Sequence, residues 1–322
     1  MKALVKTAAG PGKLEYKDVP TPEIGDDDVL MKVTYCGVCG SDLHIETGIH
    51  TCTPPVILGH EYTGVVAEVG ENVSDFGPGD AVSYLHGFNP FPGVGSDGGF
   101  AEYMRVPARS LWKTPAGVSP EEASQFETVI VPMGLVRDHV KVQPGERVVV
   151  SGPGMIGVLA ANMAKVEGAS HVTVLGGPRD EKVRLPIAAK VGADEAVLFS
   201  DEALAKLEGE NAPSCWIEAS GAAAAIAAAA KHVKRRGRIT VSGLGKGPWN
   251  VDMARVAYNN IMIKGVWGGP TRYIPESAEL MREGKLKVKQ TITDVMPLSK
   301  WQAAFAMLRK QEALKILLDP SA

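Results

Sequence analysis

Two patterns of apolar and polar residues divide the chain near residue 145. Before that point, short apolar runs such as Leu30–Tyr35 and Thr63–Val69 alternate with glycine, proline and aspartate, which is typical of β-strands joined by turns. After it, β-branched runs alternate with alanine-rich stretches long enough to form helices. The first half is therefore predicted to be β-rich, and the second to be a doubly wound α/β domain with a parallel sheet.

Strands and helices alternate strictly in the second half. The predicted strands are Arg147–Ser151, His171–Leu175, Ala196–Phe199, Ser214–Glu218 and Arg238–Ser242. The helices predicted between them are Met155–Val166, Asp180–Val191 and residues 222–230. Two later amphipathic helices, Glu276–Glu283 and Lys300–Gln311, are too small to bury a core of their own. We therefore expect three segments, 1–128, 129–266 and 267–322, of which the last returns to the first domain.

Composition narrows the class of protein. The 322 residues are 45% hydrophobic with a formal net charge of −3, which excludes a disordered chain and gives no field that favours nucleic acid or an anionic membrane. No apolar run approaches the roughly 18 residues of a membrane span, and the first residues resemble a strand more than a signal segment. Four cysteines are too few and too unevenly spaced for a secreted disulfide framework. We expect a cytoplasmic protein.

A glycine-rich loop follows the first strand of the α/β half. Gly152-Pro153-Gly154-Met155-Ile156-Gly157 fits the G-x-G-x-x-G pattern and opens a predicted helix. The first glycine allows the tight turn, the second lets a pyrophosphate approach, and the third lets helix and strand pack closely. A βα turn without a ligand is the alternative. The position of the loop favours a dinucleotide, held by Gly152, Gly154, Met155, Ile156 and Gly157.

The end of the next strand bears on the choice of dinucleotide. An NAD site usually has an acidic residue about 20 residues after the first glycine. Here the sequence reads Leu175-Gly176-Gly177-Pro178-Arg179-Asp180, so Gly176 and Arg179 are placed to meet an adenosine ribose bearing a 2′-phosphate. Alternatively, Arg179 is a solvated residue and Asp180 an N-cap. NADP(H) is favoured over NAD(H).

Metal-binding residue types cluster at two strand ends in the β-rich half. These are the runs Cys36-Gly37-Val38-Cys39-Gly40-Ser41-Asp42-Leu43-His44 and Gly59-His60-Glu61. The cysteines could be small buried hydrophobes or a redox pair, and His60 could be a hydrogen-bonded core residue. A structural zinc site would need four ligands, whereas three ligands with an open fourth position suit catalysis.

Taken together, these motifs resemble the zinc-dependent medium-chain alcohol and polyol dehydrogenases, over essentially the whole chain. Beyond the two runs and the glycine loop, the matching segments are residues 69–73, 79–82, 97–103 and 313–318. The resemblance implies a GroES-like catalytic domain, a Rossmann domain and hydride transfer between an alcohol or ketone and a nicotinamide cofactor.

The resemblance also implies roles for individual residues. Cys39 and His60 correspond to catalytic zinc ligands, with Glu127 as the sorbitol-type third ligand and Glu61 as an alternate ligand or a supporting group. Ser41 and His44 match a proton relay. Two further groups match residues that support the zinc site and the cofactor: Asp42, which would orient the ligand histidine, and Lys315, which would reach the cofactor phosphates.

One family segment is missing. Relatives with a structural zinc carry four close cysteines after the segment that matches residues 79–82, whereas residues 83–96 contain none. We therefore expect one zinc per chain, and Phe88 and Phe91 either line the substrate entrance or lie in a rigid surface loop. By resemblance, the strand that contains Trp267 pairs across a dimer, so a homodimer or homotetramer is expected.

The leading functional hypothesis is a zinc-dependent dehydrogenase of secondary alcohols or polyols. A zinc-free quinone or enoyl reductase of the same superfamily is the first alternative, but such proteins typically lack the signatures of Cys39 and His60. The second alternative is a silent cofactor-binding protein, which would have no reason to keep all the site residues.

Overall fold

The chain folds into two units whose segments alternate along the sequence. The computed structural model describes residues 1–245 and 247–322. The first unit comprises Met1–Glu127, Ile274–Arg282 and Ile292–Ala322, and the second comprises Thr128–Tyr273 and Glu283–Thr291. The first predicted boundary lies one residue from the observed one. Residues 267–273 and 283–291 group with the second unit, whereas the sequence pattern predicts all of 267–322 in the first.

A buried asparagine explains why part of the C-terminal region belongs to the second unit. The side-chain amide of Asn162 donates to the carbonyl of Lys285 at 3.0 Å, and its oxygen accepts from the N–H of Lys287 at 2.8 Å. Asn162 is 3% exposed, so this pair of hydrogen bonds satisfies a polar group that would otherwise be costly to bury.

The secondary structure follows the predicted division. The strands are β1 (Lys2–Lys6), β2 (Leu14–Asp18), β3 (Asp28–Gly37), β4 (Val56–Ile57), β5 (Glu61–Val69), β6 (Ala81–Tyr84), β7 (Tyr103–Pro107), β8 (Leu111–Lys113), β9 (Arg147–Ser151), β10 (His171–Gly176), β11 (Glu195–Leu198), β12 (Cys215–Glu218), β13 (Arg238–Val241), β14 (Met262–Gly265), β15 (Ile292–Pro297) and β16 (Lys315–Asp319). The α-helices are α1 (Gly40–Glu46), α2 (Pro120–Ala123), α3 (Phe126–Gly134), α4 (Met155–Val166), α5 (Arg184–Val191), α6 (Asp201–Ala205), α7 (Ala223–His232), α8 (Met253–Tyr258), α9 (Ile274–Arg282) and α10 (Trp301–Lys310).

The first unit is built on two sheets. The larger has the order β15-β16-β3-β5-β6-β8 with β7 also paired to β3, and the smaller has the order β2-β1-β4. Within the larger sheet, β3 pairs with β5 so that Gly37 lies opposite Glu61. On the other side of β3, β16 pairs so that Leu317 lies opposite Gly37. Three segments that are distant in sequence therefore meet at the end of β3.

The second unit contains one parallel sheet of the order β11-β10-β9-β12-β13-β14. Strand order reverses between β9 and β12, which is where ligands bind in open α/β sheets. One side of the sheet is packed by a cluster that includes Val149, Trp216, Ile226 and Ile239. The predictions of a doubly wound Rossmann sheet and of a β-rich first half are confirmed.

One predicted helix begins later than expected. The pattern predicts a helix from Asp180, but α5 begins at Arg184 and is preceded by a short 3-10 turn, Pro178–Asp180. The carboxylate of Asp180 accepts from the N–H of Gly177 at 2.8 Å, which stabilises this turn.

Within the described residues, we find no helix with the length and apolar character needed to cross a membrane.

Candidate active site

The end of β3 and the start of β5 bring three metal-binding side chains together. Cys39 is the N-cap of α1, and His60 and Glu61 lie where β5 begins. The Cys39 Sγ atom, a ring nitrogen of His60 and a carboxylate oxygen of Glu61 all lie within 4.8 Å of one another. His60 and Glu61 are buried, and Cys39 is partly exposed. Thiolate, imidazole and carboxylate are the ligand types that zinc prefers, so the donor set fits this ion.

Two side chains of α1 flank the ring of His60. The Asp42 Oδ2 atom accepts from the backbone N–H of Cys39 at 2.9 Å, and its Oδ1 atom lies 3.9 Å from His60 Nδ1. Neither of these last two atoms has a hydrogen-bond partner among the described residues, although both are buried. On the other side of the ring, Ser41 Oγ lies 3.5 Å from His60 Nε2. This arrangement fits a histidine that binds a metal through Nε2 while a carboxylate faces its other nitrogen.

Burial and the local charges shift the pKa values of these groups. Burial opposes a charge on His60, but hydrogen bonding to Cys39 and the charges of Cys39 and Asp42 outweigh it and raise the pKa of His60 well above its ordinary value. Burial raises the pKa of the Asp42 carboxyl, which His60 only partly offsets. Burial likewise raises the pKa of the Glu127 carboxyl, again opposed by His60. Such perturbed groups in one place are typical of functional sites.

Glu61 is also part of a buried ion pair. Lys315 Nζ lies 2.7 Å from Glu61 Oε1 and 2.6 Å from Oε2, and it donates to the carbonyl of Val38 at 3.1 Å. Burial opposes the ammonium charge, but the charges of Glu61, Cys39 and Asp42 and the hydrogen bond to Glu61 together outweigh it and raise the pKa of Lys315. A Cβ atom on Gly37 would lie 2.1 Å from Glu61 Oε2, so glycine is needed beside this carboxylate.

The position of Lys315 bears on its expected role. The resemblance assigns this residue to the cofactor phosphates, whereas in the structure Lys315 is 2% exposed and its ammonium contacts Glu61 and the carbonyl of Val38 inside the first unit. A buried ammonium requires a charged partner, and Glu61 supplies it.

The two candidate third ligands are not equivalent in the structure. Sequence resemblance favours Glu127 over Glu61, whereas the group of mutually close donor atoms contains Glu61 and not Glu127. Glu127 lies in the first turn of α3 and is partly buried. It is nevertheless near enough to His60 for each charge to affect the pKa of the other.

Ser41 and His44 lie on one side of α1. They are three residues apart in the helix and therefore share a face. The ring of His44 contacts the ring of His50, with centroids 4.8 Å apart, and its Nδ1 atom is buried with no hydrogen-bond partner among the described residues. Burial and the charge of His50 lower the pKa of His44, which favours a neutral imidazole that can accept a proton.

The segment without cysteines places an aromatic ring beside His60. The ring centroids of Phe91 and His60 are 5.7 Å apart, and Phe91 is 38% exposed. The Phe91 carbonyl accepts from the N–H groups of Val94 and Gly95 at 3.2 and 2.9 Å, which fixes the backbone of this loop. Phe88 is partly buried, and no ring contact is found for it within the described residues.

The glycine loop of the second unit has the geometry that a dinucleotide needs. Gly152 has a φ of +93°, which favours glycine. A Cβ atom on Gly154 would meet nothing within 4 Å, whereas a Cβ on Gly157 would lie 1.9 Å from the carbonyl oxygen of Gly152. The second glycine thus faces open space and the third allows close packing of α4. Among the described residues, no side chain caps the N-terminus of α4, which begins at Met155 and continues with Ile156.

Gly176, the last residue of β10, is a packing position, whereas Arg179, three residues later, is exposed. A Cβ atom on Gly176 would lie 3.0 Å from both Leu185 and Pro153, so this glycine allows the glycine loop and α5 to pack. Arg179 is exposed at the carboxyl end of β10. The Asp180 carboxylate is buried and used by the turn, which leaves Arg179 as the exposed charged group closest in sequence to the strand end.

Comparison with known proteins agrees with this architecture. Residues 25–116 match the family described as "Alcohol dehydrogenase GroES-like domain", and residues 156–283 match "Zinc-binding dehydrogenase". Sorbitol dehydrogenase of Halalkalibacterium halodurans is 31% identical, and L-threonine 3-dehydrogenase of Streptomyces avermitilis is 33% identical, each over 99% of both chains. The crystal structure of 2R,3R-butanediol dehydrogenase from Bacillus subtilis superposes with a TM-score of 0.88 over 99% of both chains at 25% identity.

Fold and site together define an oxidoreductase with separate catalytic and dinucleotide-binding units. The chain belongs to the zinc-type medium-chain alcohol and polyol dehydrogenase family, as the sequence motifs indicate. Its class of activity is that of a nicotinamide-dependent alcohol or polyol oxidoreductase.

Proposed function

We propose that the chain oxidises a secondary alcohol, diol or polyol to the ketone, and catalyses the reverse reduction, at the cluster of Cys39, His60 and Glu61. The observation that carries this proposal is the convergence of these three donor atoms within 4.8 Å, beside Ser41. The relatives named for sorbitol, threonine and butanediol support a secondary hydroxyl as the reacting group. All three compounds carry one beside a second polar group.

One catalytic zinc per chain would be held by Cys39, His60 and Glu61 in this proposal. Asp42 orients the ring of His60, and Lys315 neutralises the Glu61 carboxylate. Glu127 takes the place of Glu61 in the alternative ligand set. When bound, zinc supplies Lewis-acid polarisation of the substrate oxygen.

Proton movement is assigned to α1. Ser41 Oγ accepts the proton of the substrate hydroxyl and passes its own proton towards His44, which is neutral because burial and His50 lower its pKa. The shared helix face of Ser41 and His44 supports this path. The ring of Phe91 excludes water from one side of His60 and limits the size of the substrate there.

NADP(H) is the preferred cofactor in this proposal. The open space above Gly154 and the uncapped N–H groups of α4 suit a pyrophosphate. Arg179, exposed where NAD enzymes usually have an acidic residue, suits a 2′-phosphate. Comparison of kcat/KM with NADP and NAD tests the preference, and a tenfold advantage of NAD contradicts it.

A homodimer through β14 is the proposed minimal assembly. This strand is at the edge of the parallel sheet, and Met262, Trp267 and Tyr258 nearby are 40%, 73% and 84% exposed. An exposed strand edge with large apolar side chains favours pairing with a second copy. Sedimentation of the wild type and of Trp267→Lys tests this, because a wild type that sediments as a monomer contradicts the proposal.

The cytoplasm is the proposed location. All four cysteines are free thiols, which suits a reducing compartment. Cell fractionation tests this proposal.

Metal analysis and kinetics of Cys39→Ala test the central proposal. We expect about one zinc per wild-type chain, and the variant to lose zinc and activity while NADP(H) binding is retained. An active, zinc-free wild type would favour the zinc-free reductase. A wild type that binds cofactor but oxidises no member of a panel of diols, polyols and secondary alcohols would favour the silent cofactor-binding protein.

A further inference from the structure

A buried carboxylate lies at the carboxyl end of β12 and has no role in the proposed chemistry. Glu218 is 0% exposed. Its Oε1 atom accepts from the backbone N–H groups of Ser220 at 2.7 Å and Gly221 at 3.1 Å, and also from the hydroxyls of Ser220 and Ser151. Because an unsatisfied buried carboxylate is costly, these donors fix the turn that follows β12.

The fixed turn is in direct contact with the glycine loop. A Cβ atom on Gly152 would lie 2.7 Å from the nitrogen and Cα of Ser220. Ser151, the last residue of β9, donates its hydroxyl to Glu218 at 3.4 Å and accepts from the indole N–H of Trp216 at 3.0 Å. A change in the position of the Glu218 side chain would therefore displace the surface against which the glycine loop packs.

Glu218 also holds the end of β13. Its backbone carbonyl accepts from the N–H groups of Ser242 and Gly243 at 2.8 and 3.0 Å. A Cβ atom on Gly243 would lie 2.6 Å from Glu218 Oε2 and 2.1 Å from the nitrogen of Gly221. One residue thus connects the carboxyl ends of three neighbouring strands, β9, β12 and β13.

Two of these strand ends, those of β12 and β13, lie on the side of the switch point opposite to Arg179. A dinucleotide lies across the crevice where strand order reverses, with its pyrophosphate at the glycine loop. Arg179 follows β10, on one side of β9, and Glu218 follows β12, on the other. If the adenosine half lies towards Arg179, the nicotinamide half extends over the turns that Glu218 fixes.

We propose that Glu218 is a positioning residue for the nicotinamide half of the cofactor, acting through the turns after β12 and β13. The inference rests on the proposed function, since it needs a nicotinamide dinucleotide at the glycine loop. It predicts that loss of the carboxylate weakens binding of the whole dinucleotide more than binding of its adenosine half.

The same sheet offers a matched control at its opposite end. Glu146 precedes β9 and accepts from the guanidinium of Arg238 and from the backbone N–H of Gln143, the latter at 2.9 Å. Arg238 begins β13 and also donates to Cys215 Sγ at 2.9 Å. Glu146→Gln therefore disturbs a carboxylate network on the same strands, but at their amino ends.

Calorimetric titration with whole and half cofactors tests the proposal. NADPH is paired with adenosine 2′,5′-bisphosphate, and NADH with AMP, so the result does not depend on cofactor preference. For Glu218→Gln we expect the dinucleotide to bind about tenfold more weakly, which is the effect of losing a buried hydrogen-bonding group. Binding of the adenosine half should weaken by less than about twofold. Glu146→Gln should show no such split.

Equal weakening of whole and half cofactors in Glu218→Gln, or the same split in Glu146→Gln, overturns the proposal. If Glu218→Gln does not fold, Ser220→Ala removes one donor to the carboxylate at an exposed residue, and we expect a split of about threefold. Absence of that split also overturns it. A wild type that binds neither NADPH nor NADH refutes the proposed function itself. This outcome is distinguishable from failure of the proposal for Glu218, because it is seen in the wild type before any variant is measured.

Discussion

Replacing Lys315 with methionine tests which carboxylate binds the metal. The substitution keeps an unbranched side chain but removes the ammonium that contacts the Glu61 carboxylate at 2.6 Å. The two side chains are 3% and 1% exposed. At this separation and an effective dielectric constant of about 20, the Coulomb attraction is about 6 kcal/mol. Desolvation offsets part of it, and removing one partner of a buried pair costs about 3 to 5 kcal/mol.

Urea unfolding of the wild type and Lys315→Met, each treated with a chelator or loaded with zinc, provides the assay. In chelator, we expect the variant to be less stable by about 3 to 5 kcal/mol, because the Glu61 carboxylate remains buried without its cation. With zinc, we expect this difference to shrink by at least about 1.5 kcal/mol, because a metal bound by Glu61 compensates the same carboxylate.

Glu61→Gln and Glu127→Gln serve as the comparison. If Glu61 is the ligand, Glu61→Gln lowers zinc affinity more than Glu127→Gln does. A stability difference between wild type and Lys315→Met that is the same with and without zinc refutes Glu61 as a ligand. A Lys315→Met protein as stable as the wild type in chelator refutes the energetic reasoning.

Three further changes test the substrate, cofactor and proton-transfer assignments. Phe91→Ala removes the ring beside His60, so kcat/KM for bulky secondary alcohols should rise several-fold relative to small ones; an unchanged ratio contradicts its role. Arg179→Ser should lower kcat/KM with NADP about tenfold and leave NAD unaffected; equal effects on both contradict a 2′-phosphate contact. Because burial lowers the pKa of His44, alcohol oxidation should fall only as pH drops through a value below that of an ordinary histidine. His44→Gln should remove this fall in activity at low pH and reduce kcat by about a hundredfold. If the variant keeps the same fall in its pH profile, the titrating group is not His44.

The fold of the second unit was predictable because its signals are local. Strict alternation of β-branched and alanine-rich runs requires a parallel sheet, and the glycine loop fixes which strand precedes the cofactor helix. The prediction for α4 matches the observed bounds, Met155–Val166. The start of α5 was missed by four residues, because the Asp180 side chain favours a tight turn over the first turn of a helix.

The metal-binding candidates were predictable as residue types but not as a geometry. Regular alternation along a strand would place His60 and Glu61 on opposite faces. β5 begins at Glu61, however, so His60 lies before the regular strand and both side chains reach one site. In the sequence, the only signal for a shared site was that His60 and Glu61 are neighbours. Whether neighbouring side chains reach the same site depends on where the strand begins.

Contacts between distant segments were not predictable. Lys315 and Glu61 are 254 residues apart, and they meet because β16 pairs with β3 on the side opposite β5. No local pattern specifies that pairing. The same reason applies to residues 283–291, which remain in the second unit through the amide of Asn162.

The charges around His60 favour a divalent cation at this position. Asp42, Glu61 and Glu127 all belong to the surroundings of His60 and Cys39, and Lys315 is bonded to only one of these carboxylates. Burial among like charges raises the pKa values of Asp42 and Glu127, so the remaining anions are held at a cost. A dication bound by Cys39 and His60 would favour the ionised form of each carboxyl and the neutral form of the imidazole. The same carboxylates that would destabilise one another therefore become a reason for tight and selective metal binding.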